Sequence, residues 1–112
     1  MRLFGLTSDA RARLALDTGA TQTMISRELA NFMGYDLGAG ARSVQLITAS
    51  GEENATVVTI QRVEALEHHR LSMPVLCHDL PTGTPFDGLL GLDFLRGQRL
   101  TLDFREGLIT LD

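Results

Sequence analysis

The residues best placed to do chemistry stand in Leu14-Ala15-Leu16-Asp17-Thr18-Gly19-Ala20-Thr21, where an apolar run ends on a carboxylate followed by a hydroxyl and a glycine. A carboxylate at the rim of a core can take or give a proton, and a glycine two positions on supplies the tight turn and bare N–H that hold it. Thr18 adds a hydroxyl able to hydrogen-bond inside that turn. The same tripeptide also closes strands as an ordinary Asx turn, so its role has to be argued from the rest of the chain.

The other candidate groups are weaker. His68 and His69 are adjacent, Cys77 and His78 are adjacent, and neither pair has the spacing of a zinc site, so no metal and no cofactor is expected. Hairpin polarity accounts for the first pair, and a buried cysteine beside an exposed neighbour for the second. Cys77 is the only cysteine, which excludes an internal disulfide.

The 112 residues fit one domain, with roughly 60–70% of the surface buried on folding. Apolar residues make up 44%, and the net charge of −4 comes without a long run of one sign. No cluster of Lys and Arg interleaved with aromatics points to nucleic acid. The apolar runs are too short to span a bilayer, and Met1 to Gly5 leave no room for a signal peptide, so no membrane contact is expected and the cytoplasm is the default compartment.

The positioning elements read as mainly β. Arg2 to Leu6 and Arg11 to Leu16 form a hairpin leading into Asp17, the second strand showing a period of two. Ser26 caps a short helix that places Ile25, Leu29, Phe32 and Met33 on one core-facing side, and Gly34 ends it. Gly38-Ala39-Gly40 is a loose connection. Val44 to Thr48 and Thr56 to Ile60 are strands around the small, polar tip Ala49 to Asn54, suited to reaching over a cleft. A strand through Val63 and Ala65 turns at Glu67-His68-His69 and returns as Leu71 to Cys77. Pro85 to Leu95 carries an apolar strand stopping at Gly91, then a helix from Leu92 to Arg96. Leu100 to Phe104 and Leu108 to Leu111 close the chain as a hairpin.

Two segments together resemble the retropepsin-like aspartic proteases: Asp17-Thr18-Gly19-Ala20 continuing to Ser26, and Leu89-Leu90-Gly91 with Leu92-Asp93-Phe94-Leu95 about seventy residues later. The pattern is nearer to cellular and bacterial members than to viral ones. The resemblance implies an all-β half-barrel with a psi loop, a flap hairpin and two short helices, the psi loop being completed by Leu89, Leu90 and Gly91 threading behind the first segment. It implies that Asp17 is catalytic, that Gly19 donates its N–H to the carboxylate, and that Thr18 bonds across to a second subunit. Ala20, Thr21, Gln22, Met24, Phe86 and Leu89 are the implied substrate walls, and Ala49, Ser50 and Gly51 the implied flap. Viral members pair an acid at the position of Thr21 with a base at that of Leu92; here that ion pair cannot form.

Peptide hydrolysis by carboxyl groups needs one ionised to activate water and one protonated to polarise the carbonyl. Asp87 and Asp93 lack the Thr-Gly frame, so one chain offers one such aspartate, and a homodimer is expected to bring two copies of Asp17 together. The expected substrates are extended peptides or proteins with apolar residues flanking the cut. The dimer would form either through interleaved termini, Arg2 to Leu6 with Leu108 to Leu111, or through the Leu100 to Leu111 hairpin. Two other readings stand beside this one. The Asp-x-Gly-x-Thr pattern also resembles the phosphate loop of the sugar kinase and actin superfamily, and the same fold can serve as a catalytically idle peptide-binding module.

Overall fold

The computed structural model describes every residue except Ala39, Ala49 and Ser50. The connection expected at Ala39 and the flap tip expected at Ala49 and Ser50 therefore lie outside the described residues. Among the described residues, ten strands and two short helices follow in the order β1 (Arg2–Phe4), β2 (Asp9–Arg11), β3 (Leu14–Leu16), β4 (Met24–Ile25), α1 (Arg27–Phe32), β5 (Ser43–Thr48), β6 (Gly51–Ala65), β7 (His68–Cys77), β8 (Gly88–Leu90), α2 (Leu92–Leu95), β9 (Leu100–Asp103) and β10 (Leu108–Leu111).

Eight strands make one sheet in the order β2-β1-β6-β7-β4-β8-β3, with β5 added to β6, while β9 and β10 form a separate hairpin. The two long strands, β6 and β7, are its spine. Leu66 and Glu67, at φ 52° and 65°, make the tight left-handed turn between them. His68 and His69 thus lie within β7, opposite Ala65 and Glu64, and not in the turn. β6 also absorbs what reads from sequence as two strands. Its buried side moves from Val58 and Ile60 to Val63, and the pairing skips Gln61 and Ser72 at the point where Ser72 takes φ 51°.

The expected strand Arg11 to Leu16 is split, because Ala12 and Arg13 leave the ladder between β2 and β3. Ala12 N–H donates to Met1 O at 2.9 Å, and Asp87 N–H to Arg13 O at 2.7 Å, so this stretch trades one neighbour for another. Helix α1 is capped as its sequence suggests, with Ser26 Oγ accepting from Leu29 N at 3.2 Å. Ile25 and Met33 are fully buried, but Phe32 is 62% exposed and takes no part in the core. A six-residue helix is too short for its whole apolar stripe to reach the sheet.

One apolar cluster runs through Leu3, Ile25, Met33, Ile60, Val63, Val75 and Phe94. It lies behind the strands that carry Asp17, so the site rests on the packed part of the chain. Among the described residues, no helix is long and apolar enough to cross a membrane.

Candidate active site

Strand β8 lies between β3 and β4. It pairs in parallel with β3, with Leu14 opposite Gly88 and Leu16 opposite Leu90, and antiparallel with β4, with Met24 opposite Leu89. This is the psi arrangement: the loop from residue 17 to 23 leaves β3 and returns as β4 on the far side of an inserted strand. Such insertion demands close backbone approach. A Cβ on Gly88 would stand 2.0 Å from Met24 O, and one on Gly91 would stand 2.7 Å from Gln22 C, separations that no side chain tolerates.

The turn that bears the carboxylate is stitched to this strand on both sides of Gly91. Asp17 N–H donates to Leu90 O at 3.0 Å, and Leu92 N–H donates to Ala20 O at 2.8 Å. Inside the turn, Ala20 N–H donates to Asp17 O at 3.1 Å, and Gly19 N–H to Asp17 Oδ1 at 2.9 Å. The backbone is therefore fixed by the sheet, and the carboxylate by its own turn. Asp17 is half-buried, while Thr18 and Gly19 are exposed.

A second layer of polar contacts holds the loop from behind. Thr23, fully buried, donates from Oγ1 to Asp93 Oδ1 at 2.7 Å and accepts from Gly91 N at 3.1 Å. Asp93 Oδ2 accepts from Thr23 N at 2.9 Å, and Asp93 Oδ1 also accepts from Phe94 N at 2.8 Å. One hydroxyl and one carboxylate thus tie β4, Gly91 and the start of α2 together. Sequence reasoning passed over both residues. The available signal was a hydroxyl between Gln22 and the apolar Met24-Ile25, and an acid in the first turn of a helix that has no side-chain cap of its own.

Among the candidate walls, Met24 and Leu89 are directly paired and half-buried, sharing one face of the sheet. Ala20 is half-buried beside the carboxylate turn, whereas Thr21 and Gln22 are exposed. Phe86 lines a hollow of about 650 Å³ with Ser26, Arg27, Asp79 and Asp87, and Asp17 is not among that hollow's walls. Gly51 opens β6 opposite Thr48. Cys77 is fully buried, and burial pushes its thiol up to about 11, with Arg27 pulling slightly back, so it is inert at neutral pH.

With the psi loop and its carboxylate turn in view, the similarities to known proteins have a physical meaning. Residues 6–97 match the family described as "gag-polyprotein putative aspartyl protease". Among solved structures the chain is similar to a retropepsin-like aspartic protease from Rickettsia conorii, at 23% identity and a TM-score of 0.71, covering 99% of this chain and 79% of that one. No curated protein matches the chain. The chain belongs to the retropepsin-like aspartyl protease family, and its curled sheet with two short helices is that family's fold.

Proposed function

We propose that this protein is an aspartic endopeptidase, one domain long, that works as a two-fold homodimer. The observation carrying this reading is the Asp17 carboxylate, held by Gly19 N–H at the end of a strand that β8 locks from the side. Two such turns facing each other bring two carboxyl groups to about 3 Å, where like charges cannot both ionise and one proton is shared. The ionised member activates water and the protonated one polarises the scissile carbonyl. Thr18 bonds across the two turns. Ala20, Thr21, Gln22, Met24, Leu89 and Phe86 shape the cleft, and the tip at Ala49, Ser50 and Gly51 covers an extended peptide by pairing with its backbone. Apolar side chains beside the cut suit Met24 and Leu89.

The topology supports one of the two dimer modes. β1 has β2 on one edge and β6 on the other, so the N-terminal strand has no free edge to interleave. In the closing hairpin, Leu100 pairs with Leu111 and Leu102 with Ile109, which puts all four on one face. Leu111 is buried against the body, but Leu102 and Ile109 are 43% and 48% exposed. This apolar face runs past the end of its own core, as a surface shared with a second copy does.

Cleavage of a mixed peptide library, followed over a dilution series for the parent chain and Asp17→Asn, tests the reading. Loss of cleavage in the variant, with parent activity rising faster than linearly in enzyme concentration, is the expected result. A dimeric parent that cuts nothing between pH 3 and 7 refutes it.

A further inference from the structure

The β5–β6 hairpin extends beyond the strands that anchor it. β6 pairs with β7 from Thr56 onward, opposite Cys77, whereas Gly51 to Ala55 pair with β5. Leu46 is paired with Glu53 and Val44 with Ala55, so Glu53 sits on the face that the hairpin shares with these apolar residues. From that face Glu53 Oε2 meets His78 Nε2 at 2.6 Å. His78 follows directly on β7, and its backbone N–H donates to Ile25 O at 3.0 Å. The imidazole is thus rooted in the body of the sheet and reaches out to the projecting hairpin.

The charged groups around the imidazole come from each neighbouring element. Glu53 and the exposed Glu52 lie on β6, and Cys77, neutral, precedes the ring on β7. Asp79 follows, with its Oδ1 accepting from Arg27 N at 3.2 Å, and the Arg27 guanidinium on α1 is turned to Thr56 Oγ1 at 3.4 Å. β4 contributes Met24 and Ile25, which carry no charge. Glu53 is the carboxylate in direct contact with the ring.

We propose that the His78–Glu53 pair is a proton-operated latch on the hairpin; this rests on the reading of that hairpin as the cover of the cleft. With imidazolium and carboxylate both charged, the contact is charge-assisted from both sides and holds the hairpin against the end of β7. Loss of the imidazole proton, or gain of one by the carboxylate, reduces it to a weaker hydrogen bond. The latch is tightest when both groups are charged and loosens when either is neutral. The two side chains are 25% and 41% exposed, so solvent screens the pair and the ratio of held to free hairpin changes about threefold to fivefold between the charged and the neutral imidazole.

The test uses spin labels at Ile47→Cys, on the exposed side of β5, and Glu28→Cys, on the exposed side of α1, in an Asp17→Asn chain that has no dyad titration. Cys77 is fully buried and stays unlabelled. The label-to-label distance distribution is recorded at pH 5.5 and pH 8, with and without His78→Gln, which keeps a donor and loses the titration. The expected result is a dominant short-distance population at pH 5.5, a free population about three to five times larger at pH 8, and no pH response in His78→Gln. A distribution indifferent to pH in the parent, or a response that survives His78→Gln, overturns the latch. Peptide kinetics on the active chain separate the two readings. Expected is a raised KM at pH 5.5 for His78→Gln with kcat within about twofold; a working latch with KM unchanged overturns the assignment of the hairpin as cover.

Discussion

Replacing Thr23 by Val keeps the shape of a fully buried side chain and removes one oxygen. That oxygen makes two contacts, donating to Asp93 Oδ1 at 2.7 Å and accepting from Gly91 N at 3.1 Å. The first is a hydrogen bond to a charged acceptor, worth about 1.5–3 kcal/mol. The second loss leaves the buried Gly91 N–H without its partner, at about 1–3 kcal/mol. Asp93 keeps Thr23 N and Phe94 N, which softens the first loss, so the sum comes to about 2–5 kcal/mol. At about 2.1 cal/mol/K of unfolding entropy per residue, a chain of this length loses about 4 °C of Tm per kcal/mol, a fall of about 8–20 °C. Thr23→Ser is the control, since it keeps the hydroxyl and gives up one methyl for about 1 kcal/mol. Melting by circular dichroism at one fixed protein concentration reads both, because any dimer makes Tm concentration-dependent. If Val and Ser variants melt within 2–3 °C of each other, the hydroxyl is not what holds the psi loop and the clamp argument fails.

Burial raises the Cys77 thiol from 9.0 to about 11. The unfolded chain therefore ionises this thiol first, and the stability that the buried neutral form contributes is complete below about pH 9 and lost progressively up to about pH 11. By linkage the loss is about 2–3 kcal/mol, and urea unfolding from pH 8 to 11 should show it in the parent and not in Cys77→Ala. Tyr35 is 7% exposed, and among the described residues its buried hydroxyl has no hydrogen-bond partner of ordinary geometry, the Gln61 backbone being its nearest polar neighbour. Desolvation raises its pKa, with the Gln61 backbone pulling the other way. Tyr35→Phe removes an unpaired polar atom, so it should leave chemical stability unchanged or raise it by up to about 1 kcal/mol; a loss above that would mean the hydroxyl has a partner.

The carboxylate turn was legible in its residue types, Asp17 and Gly19 at the end of an apolar strand, and the inserted strand through the resemblance at Leu89-Leu90-Gly91, whereas Gly88, whose Cβ would meet Met24 O, carried no such signal. Ser26 as a cap and the closing hairpin were legible for the same local reasons. Phe32 was misread because periodicity gives a face but not the width of what lies beneath it. His68 and His69 look like turn residues by polarity, yet the turn falls on Leu66 and Glu67, whose left-handed conformations no side-chain preference announces. The Thr23–Asp93 clamp joins residues 70 positions apart, and the Glu53–His78 contact joins residues 25 apart. No local pattern marks such pairs, because only the sheet order brings them together.

That sheet order bears on how the protein comes into being. Arg13 and Asp87 are 74 positions apart, yet they exchange two hydrogen bonds, at 2.9 and 2.7 Å, immediately before the strand pair that fixes Asp17. While the chain is being synthesised, the aspartate emerges long before the segment that shapes its surroundings. Parallel pairing at that sequence distance is among the slower steps of folding, since a long loop must close before any contact rewards it. The turn that carries Asp17 therefore stays open in the nascent chain until β8, far downstream, has threaded in beside β3.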